Sequence, residues 1–362
     1  MTRRLLAVGY QGFENVGDEA ILTGIESILG DGRATVSAIV CGPVPGSVVG
    51  FPGARRISSP RLLPTGPALR ALWASDGLLL SGGGLIHDHW PSVIPRYLFW
   101  IVLARALGKR VAWLGVGVGP ISRGWQRVLA RLALRLTTIA LVRDAASTEL
   151  LGGVGGRLEI VPDPAIFNPR PDPDSRGKRT DGLAIIIRGP APVQRDQAHR
   201  WATQVVEVCA EAPALGWRPT LLTMAGPTDG AFVDLVRRLG AERDASLEIA
   251  SLDSTPEAAI GRLATFGAVI SMRLHGLLLA ALAGVACVPV AYDAKVRAAA
   301  IELGIGDLVV EPAALTAQVL LDRLAVAADP ACRRRVEERV TRLRDRREAV
   351  ADRIVAGLGQ RR

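Results

Sequence analysis

Short, uninterrupted apolar runs that end in glycine or a polar residue recur along the chain, and helical patterns follow them. In the first half, "RRLLAVGYQGF" precedes "DEAILTGIESILG", and "RVAWLGVGVGP" precedes "WQRVLARLALRL". Strands that are apolar throughout are buried on both faces, and their alternation with helices is typical of a parallel sheet between two helical layers. The pattern therefore predicts an α/β protein.

The same pattern begins again at "GLAIIIRGP", after a stretch rich in Pro, Asp and Arg, "PDPAIFNPRPDPDSRGKRTD". A chain of 362 residues is too long for one ordinary domain. We predict two doubly wound Rossmann-like domains that face each other across a cleft, at residues 1–170 and 182–328, with a linker at 171–181. In such sheets, ligands bind at the carboxyl ends of the strands.

The formal net charge of +9 is concentrated at the end of the chain. Between Cys332 and Arg362 there are eleven arginines against five acidic residues, and apolar residues recur there at helical spacing. We predict a basic amphipathic helix over 329–362 that packs back across the domains. Its basic face is interpreted as a solvated helix surface, with contact to a polyanion or an anionic membrane as the alternative, and nucleic acid is not expected.

Cysteine usage and the N-terminal sequence favour a cytoplasmic protein. Cys41, Cys209, Cys287 and Cys332 show no CxxC pairing, so neither a zinc site nor a disulfide framework is expected. The N-terminus lacks a signal-peptide apolar region. The apolar run from Tyr97 to Leu107 is too short to span a bilayer, although an exposed Trp/Phe face there could contact a membrane peripherally.

Polar side chains follow three strands of the second half. These are Arg188 after "LAIII", Arg273 and His275 after "AVISM", and Tyr292, Asp293 and Lys295 in "VPVAYDAKV". Residues two apart in an extended segment point to the same side, and a helix that begins near Gly276 adds a positive dipole. Three cations and a helix N-terminus favour a small, highly charged anion as ligand. The alternative for each cation alone is a buried salt bridge, with Asp293 as a candidate partner.

Glycine-rich loops follow two strands of the first half, in "GYQGFENVGDEAIL" and "SGGGLIHDHW". Gly12 and Gly17 allow a ligand to approach the backbone, Asp18 can cap the helix, and consecutive glycines after Ser81 suit an anion or a sugar. The spacing is neither GxGxxG nor that of a P-loop. We expect no metal at His87-Asp88-His89, because a lone HxH has no further ligands, and for Arg143 we leave open a local pair with Asp144 or substrate binding.

These blocks, with "GVGVGP", "VRDAAS", "DPAIF" and "SMRLHGLLLAALAGVACVPVAYDAKV", resemble the polysaccharide pyruvyl transferase family in the same order over nearly the whole chain. The resemblance implies a fold like that of GT-B glycosyltransferases and phosphoenolpyruvate as donor, with no further cofactor. It also implies a pyruvate ketal placed on a hydroxyl pair of a cell-wall or exopolysaccharide sugar, often on a lipid-linked intermediate.

Carried onto this chain, the resemblance gives two groups of residues. The donor is expected at the second domain and at Arg188, Arg273, Gly276, Tyr292, Asp293 and Lys295, with His275, Arg273 and Lys295 as catalytic residues. The acceptor is expected at the first domain and at Gly12, Asn15, Gly17, Asp18, Gly83, Gly84, His87, Asp88 and Arg143. His87 stands where the family commonly has Gln, so the acceptor pocket departs from the family pattern there.

Histidine titrates near neutral pH, which makes His275 the preferred acid/base for ketal formation. Two other functions remain open. A GT-B glycosyltransferase or sugar-nucleotide 2-epimerase would share the two-domain architecture, but Glu302 and Glu311 are one residue too far apart for the Glu-x7-Glu pattern. A non-catalytic anion-binding protein would not need both His275 and Lys295.

Overall fold

The computed structural model describes residues 2–13, 15–30, 32–40, 55–59, 62–152, 158–171, 181–188, 195–224, 226–243, 245, 247–252 and 255–359. The chain divides into two compact units. The first comprises Met1–Phe13, Asp18–Asn168 and Leu343–Arg362, and the second comprises Glu14–Gly17 and Pro169–Arg342. The predicted linker at 171–181 lies almost entirely outside the described residues.

The first unit alternates strands and helices as the apolar runs predict. Its elements are β1 (Arg3–Val8), α1 (Val16–Leu29), β2 (Ala34–Val40), β3 (Arg55–Ser58), α2 (Gly66–Ala74), β4 (Gly77–Leu80), β5 (Gly83–Ile86), α3 (Val93–Ala106), β6 (Arg110–Val118), α4 (Gly124–Leu136), β7 (Ile139–Val142), α5 (Ala145–Leu151), β8 (Leu158–Ile160) and a 3-10 turn at Pro164–Phe167.

The strands of the first unit form one parallel sheet in the order β3-β2-β1-β4-β6-β7-β8, with β5 paired to β6. One buried core joins a face of this sheet to α2, α3 and α4, and Leu72, Trp100, Trp113 and Leu134 are among its members. The strand order changes direction between β1 and β4, so the loops after these two strands flank a crevice at the carboxyl edge of the sheet.

The second unit repeats this arrangement. Its elements are β9 (Gly182–Ile186), α6 (Arg195–Glu211), β10 (Arg218–Thr223), α7 (Gly226–Ala241), β11 (Glu248–Ser251), α8 (Pro256–Leu263), β12 (Ala268–Ser271), α9 (Leu274–Leu282), β13 (Ala286–Pro289), α10 (Ala294–Glu302), α11 (Ala317–Ala328) and α12 (Pro330–Arg344). The sheet is parallel, in the order β11-β10-β9-β12-β13, and its order changes direction between β9 and β12. The prediction of an α/β fold with parallel sheets in two Rossmann-like domains is confirmed.

The end of the chain differs from the predicted single helix over 329–362. A turn at Asp345 and Arg346 separates α12 from a last helix, α13 (Arg347–Leu358). The segment Leu343–Arg362 belongs to the first unit, where α13 packs on β6 and β7. Helical periodicity alone did not show this break, because the apolar positions on either side of the turn keep an approximately helical spacing.

Several arginines of this last segment bind backbone carbonyls of the first unit. Arg344 Nη1 donates to the carbonyl oxygens of Ile166 at 2.7 Å and Asn168 at 2.5 Å. Arg346 Nη2 donates to the carbonyl oxygen of Ile160 at 3.0 Å. These arginines therefore hold the end of the chain against the edge strand β8 and the 3-10 turn. Among the described residues, no helix is both long and apolar enough to cross a membrane.

The contact between α1 and the 3-10 turn generates a stability prediction. A Cβ at Gly24 would overlap the carbonyl of Pro164, which is backbone and cannot move aside. We expect Gly24→Ala to lower the free energy of unfolding by about 2 kcal/mol, the cost typical of overpacking. Thermal unfolding followed by circular dichroism measures this change.

Gly261→Ala is the matched control, since Gly261 lies on an exposed helix surface in α8 and an added methyl group would extend into open space. Alanine there should be neutral or stabilising by up to about 1 kcal/mol. Equal melting temperatures for the two variants would contradict the close packing at Gly24.

Candidate active site

The carboxyl edge of the second sheet brings three of the predicted strand ends side by side. Arg188 follows β9, the segment from Arg273 to His275 follows β12, and the segment from Tyr292 to Lys295 follows β13. These strands are neighbours in the order β9-β12-β13, and the change of direction between β9 and β12 lies between Arg188 and Arg273. Ligands of open parallel sheets bind at such a position.

Arg273 extends across the ends of three strands. Its Nη2 pairs with Asp229 Oδ1 beyond β10, and its Nε donates to the carbonyl oxygen of Ile187 beyond β9 at 3.4 Å. Ser271 fixes its backbone, because Ser271 Oγ accepts from Arg273 N at 3.1 Å and donates to Arg273 O at 2.8 Å. Arg273 is 8% exposed and Asp229 is fully buried. Removing one partner of such a buried pair typically costs about 3–5 kcal/mol, because the other charge is then left buried without compensation.

Asp229 is a site residue that the sequence patterns did not predict. Its Oδ2 accepts from the backbone N–H of Met224 at 3.1 Å while Oδ1 binds Arg273, so it joins the β10–α7 connection to the β12–α9 connection. The only sequence signal was an aspartate at the start of a helix directly after an apolar strand, in "TMAGPTDGAF". That signal is equally typical of a helix cap.

Gly17 lies against His275, the predicted acid/base. A Cβ at Gly17 would overlap the imidazole ring, so glycine is what allows the backbone to pack on this face of His275. Asn15 Oδ1 accepts from Gly17 N at 3.1 Å, and Val16 N donates to the carbonyl oxygen of Met224 at 3.4 Å. Glu14–Gly17 accordingly cluster with the second unit, although Asn15 and Gly17 were predicted for an acceptor site on the first domain.

Gly276 has a packing role in the first turn of α9. A Cβ there would lie 2.6 Å from Ser271 Oγ and 2.8 Å from Ile186 Cδ1, closer than real Cβ contacts allow. Glycine therefore lets the helix start close to β9 and β12. Arg273 occupies the N-cap position and makes no side-chain cap, so no N-cap side chain occupies the first-turn amides of α9, which form a positive helix terminus at this edge.

Arg188 and Lys295 have partners that an anion can replace. Arg188 Nη1 donates to Tyr292 Oη at 2.7 Å, and its guanidinium lies 5.2 Å from the centre of that ring. Lys295 Nζ lies 3.0 Å from Asp293 Oδ2, and both side chains of that pair are about one third exposed. Exposed pairs of this kind contribute little to stability. Asp293 also caps α10 by accepting from Lys295 N at 3.1 Å.

In the first unit, two of the predicted acceptor residues come together at the crevice between β1 and β4. Asp18, in the first turn of α1, places Oδ1 3.4 Å from a Cβ position on Gly83, whose φ of +79° favours glycine. Gly84 next to it is exposed, with no atom near its Cβ position. Gly84 is therefore accessible at this part of the edge, and Asp18 places a carboxylate beside Gly83.

The backbone amide of Gly12 makes a hydrogen bond within the first unit. Gly12 N donates to Glu19 Oε1 at 2.8 Å, and Glu19 Oε2 pairs with Arg56 at 2.8 Å in a buried ion pair. Gln11 and Ser81 link the two glycine-rich loops through Ser81 Oγ and Gln11 Oε1 at 3.1 Å. This buried network, which no sequence pattern predicted, holds the loop after β1 in place.

The carboxylate of Asp88 accepts hydrogen bonds from nearby residues of the protein. Its Oδ2 accepts from Ser122 N at 2.6 Å, Ser122 Oγ at 2.7 Å and Arg123 N at 2.8 Å. Desolvation alone would raise the pKa of Asp88, but these hydrogen bonds from Arg123 and Ser122 outweigh it and lower the pKa below the ordinary value. Asp88 thus fixes the turn before α4, while His87, one residue earlier, is half-buried and lies with its ring 4.8 Å from that of His89.

Arg143 also has partners within the fold. Its guanidinium lies 3.3 Å from Asp163 and 3.4 Å from Asp144, and it covers Gly117 of β6. Asp144 caps α5 by accepting from Ser147 N at 2.8 Å. Of the two interpretations left open for Arg143, these contacts favour the local pair. Among the described side chains there is no group of three or more His, Cys, Asp or Glu that could hold a metal ion.

Comparison with solved structures supports the fold alone, because the sequence identities are low. The chain is similar to a putative UDP-N-acetylglucosamine 2-epimerase from Listeria monocytogenes, with a TM-score of 0.59 and 11% identity over 98% of this chain and 95% of that one. It is also similar to a UDP-forming trehalose-phosphate synthase from Burkholderia xenovorans, with a TM-score of 0.57 and 11% identity over 99% of both chains.

A third similar structure is an O-GlcNAc transferase mutant from Thermobaculum terrenum, with a TM-score of 0.52 and 14% identity over 98% of this chain. The chain spans 66% of the length of that protein. These similarities confirm a fold like that of the GT-B glycosyltransferases. A sequence search of curated proteins gave no match.

The family model for polysaccharide pyruvyl transferase matches residues 15–294, which include the β12–α9 and β13–α10 connections described above. The match covers well over half of the chain. The chain therefore belongs to the polysaccharide pyruvyl transferase family.

Proposed function

We propose that the protein transfers the enolpyruvyl group of phosphoenolpyruvate to a hydroxyl pair of a cell-surface or cell-wall glycan, forms a pyruvate ketal and releases phosphate. The observation that carries the proposal is the row of cationic groups at the carboxyl ends of β9, β12 and β13, within a chain that belongs to a pyruvyl transferase family. Phosphoenolpyruvate carries a carboxylate and a phosphate on neighbouring atoms, so its binding needs several fixed positive groups.

The partners of the cations assign different roles to them. Arg188 is bound to a neutral hydroxyl and Lys295 to a carboxylate that is about one third exposed, so both can turn to the donor at little cost. The first-turn amides of α9 add further donors for phosphate or carboxylate. Arg273 is committed to Asp229, so in this proposal it is a positioning residue that fixes the three connections around the donor.

His275 is proposed as the acid that delivers a proton to the C3 methylene of phosphoenolpyruvate, which makes C2 electrophilic. A sugar hydroxyl attacks C2 and loses its proton, and the bond between C2 and the phosphate oxygen breaks as phosphate leaves toward Lys295 and Arg188. The second hydroxyl then attacks C2 and closes the ketal. One hydroxyl proton replaces the proton given to C3, and the other leaves with phosphate.

The packing of Gly17 on His275 supports this role, because it fixes the orientation of the ring with backbone atoms. The proposal assigns no cofactor, since the donor itself supplies the leaving group. We place the acceptor at the carboxyl edge of the first sheet, near Asp18, Gly83, Gly84 and His87, and we place the reaction in the cytoplasm at the membrane face, where lipid-linked glycans are built.

The reaction predicts phosphate release that depends on both substrates. We expect the wild-type protein to release phosphate from phosphoenolpyruvate only when glycan from cells lacking the gene is present. His275→Ala should lower this rate by about 10²–10⁴-fold, the usual contribution of a general acid, with an unchanged melting temperature. His199→Ala is the matched control, because His199 is exposed on α6, and it should keep full activity.

Two results would contradict the proposal. Undiminished turnover in His275→Ala would remove this residue from the mechanism. Turnover of UDP-N-acetylglucosamine with no turnover of phosphoenolpyruvate would favour the glycosyltransferase or epimerase alternative, which the similarity to solved structures supports at the level of fold.

The hydrogen bonds of Asp88 predict a pH-dependent loss of stability. A carboxyl whose pKa is lowered on folding stabilises the fold above its ordinary pKa of about 4, and that stabilisation disappears as the pH falls toward the lowered value. We expect Asp88→Asn to lose about 1–3 kcal/mol at pH 7, and this difference from wild type to shrink below about pH 4. Urea unfolding at a series of pH values measures it.

Asp352→Asn, on the exposed side of α13, serves as control and should leave stability nearly unchanged across the series. A difference for Asp88→Asn that does not shrink at low pH would show that the carboxylate charge is not what stabilises the turn.

A further inference from the structure

Helices α2, α3 and α4 cover one face of the first sheet and share its buried core, which includes Leu72, Trp100 and Leu134. Their outer surfaces and the turn before α3 nevertheless expose large apolar side chains. These are Leu69, Trp73, Trp90, Phe99, Val102, Trp125, Val128 and Leu132. Trp73 and Trp90 are each 70% exposed and Val128 is 64% exposed. Such a concentration of exposed apolar side chains on one surface indicates an interaction site.

On α4 the exposed side is divided into two neighbouring stripes. Trp125, Val128 and Leu132 recur three and four residues apart, and Arg127, Arg131 and Arg135 recur every four residues beside them. The buried side of the helix holds Gln126, Ala130, Ala133 and Leu134. The helix thus uses one side for the core of the domain and presents a second apolar stripe, lined with arginine, to its surroundings.

The chain segment that contains α2, α3 and α4 is strongly basic. Between Gly66 and Leu136 the chain has nine Lys or Arg residues and two acidic residues. Asp88 is buried at the turn before α4, and the partly buried Asp76 accepts from Arg4 N through Oδ2 at 2.8 Å. Several of the cations contact backbone carbonyls, such as Arg127 with Ile121 O at 3.0 Å. A carbonyl oxygen carries no formal charge, so such a contact does not neutralise the guanidinium that makes it.

Tryptophan and phenylalanine interleaved with arginine, without carboxylates, match the chemistry of an anionic bilayer surface. Indole rings settle at the level of the lipid head groups, apolar side chains enter the acyl boundary, and arginines reach the phosphates. Each basic residue near an anionic leaflet strengthens binding by about fivefold. An apolar protein partner would need the exposed apolar side chains but not the arginines beside them.

The surface also reaches the carboxyl edge of the first sheet. Trp90 and Trp125 stand at the amino ends of α3 and α4, next to the end of β5 where His87 and Asp88 lie. Asp88 accepts from the backbone N–H of Ser122 and Arg123, directly before α4. An acceptor sugar on a lipid carrier in the bilayer would therefore approach the edge at which we place the acceptor.

We propose that the exposed side chains of α2, α3 and α4, with Trp90, bind the surface of a bilayer that contains anionic phospholipid. The inference deepens the proposed function, which supplies the reason for a membrane position, a lipid-linked acceptor. Vesicle binding itself requires neither phosphoenolpyruvate nor turnover, so the two proposals can fail separately.

Co-sedimentation of the full chain with vesicles tests the surface. We expect binding to vesicles of phosphatidylglycerol and phosphatidylethanolamine, weaker binding at high salt, and little binding to phosphatidylcholine alone. Two double variants should each bind the vesicles at least about tenfold more weakly. One combines Trp125→Ser with Val128→Ser, and the other combines Arg127→Glu with Arg131→Glu. Leu215→Ser with Ile301→Ser is the matched control, because these exposed side chains of the second unit, 59% and 61% exposed, lie outside the surface.

The remaining outcomes would overturn the proposal. The first is that the wild type does not bind vesicles, and the second is that it binds both kinds of vesicle equally. The third is that both surface variants bind as tightly as the wild type while their melting temperatures are unchanged. A dimer in sedimentation velocity that the surface variants dissociate, without vesicle binding, would assign the surface to a second copy of the chain. Phosphate release measured with delipidated glycan separates the two proposals. The surface variants should keep this phosphate release, because it does not require a membrane. Vesicle binding without any phosphate release would contradict the proposed function alone.

Discussion

The arrangement of the second unit depends on the buried ion pair between Arg273 and Asp229. The strand order places β9 between β10 and β12, so a side chain after β12 can reach one after β10 only by crossing the end of β9. Arg273 does so, and it binds the carbonyl oxygen of Ile187 on the way. The pair therefore closes the bottom of the crevice at which a parallel sheet binds its ligand.

This pair separates the residues that shape the site from those that can bind a ligand. Separating a buried arginine from a buried carboxylate is costly, because it leaves a buried charge without compensation. Arg188 has a neutral partner and Lys295 has a partner that is about one third exposed, so neither carries such a constraint. Backbone packing completes the arrangement, because the glycines at positions 17 and 276 let neighbouring segments approach His275 and the start of α9.

The sequence was sufficient to predict the parts that depend on local pattern. The apolar runs predicted the strands, and the polar residues that follow them predicted Arg188, His275 and Lys295 as site residues. The parallel topology places these three residues on one edge of the sheet. The partners of these residues depend on contacts between distant segments, for which a single sequence has no periodicity. Asp229 was missed for that reason, and so was the position of Gly17 beside His275. Asp88 and Arg143 were identified as polar loop residues, but their hydrogen-bond partners could not be.

The proposed chemistry depends above all on phosphoenolpyruvate binding at the carboxyl edge of the second sheet. A crystal structure of the protein with phosphoenolpyruvate and without acceptor tests this most directly, since the donor then remains intact. We expect the phosphate and the carboxylate within hydrogen-bond distance of Arg188, Lys295 and the first-turn amides of α9, with the pair of Arg273 and Asp229 unbroken. Phosphoenolpyruvate bound elsewhere on the chain, or bound to Arg273 with Asp229 released, would contradict this assignment.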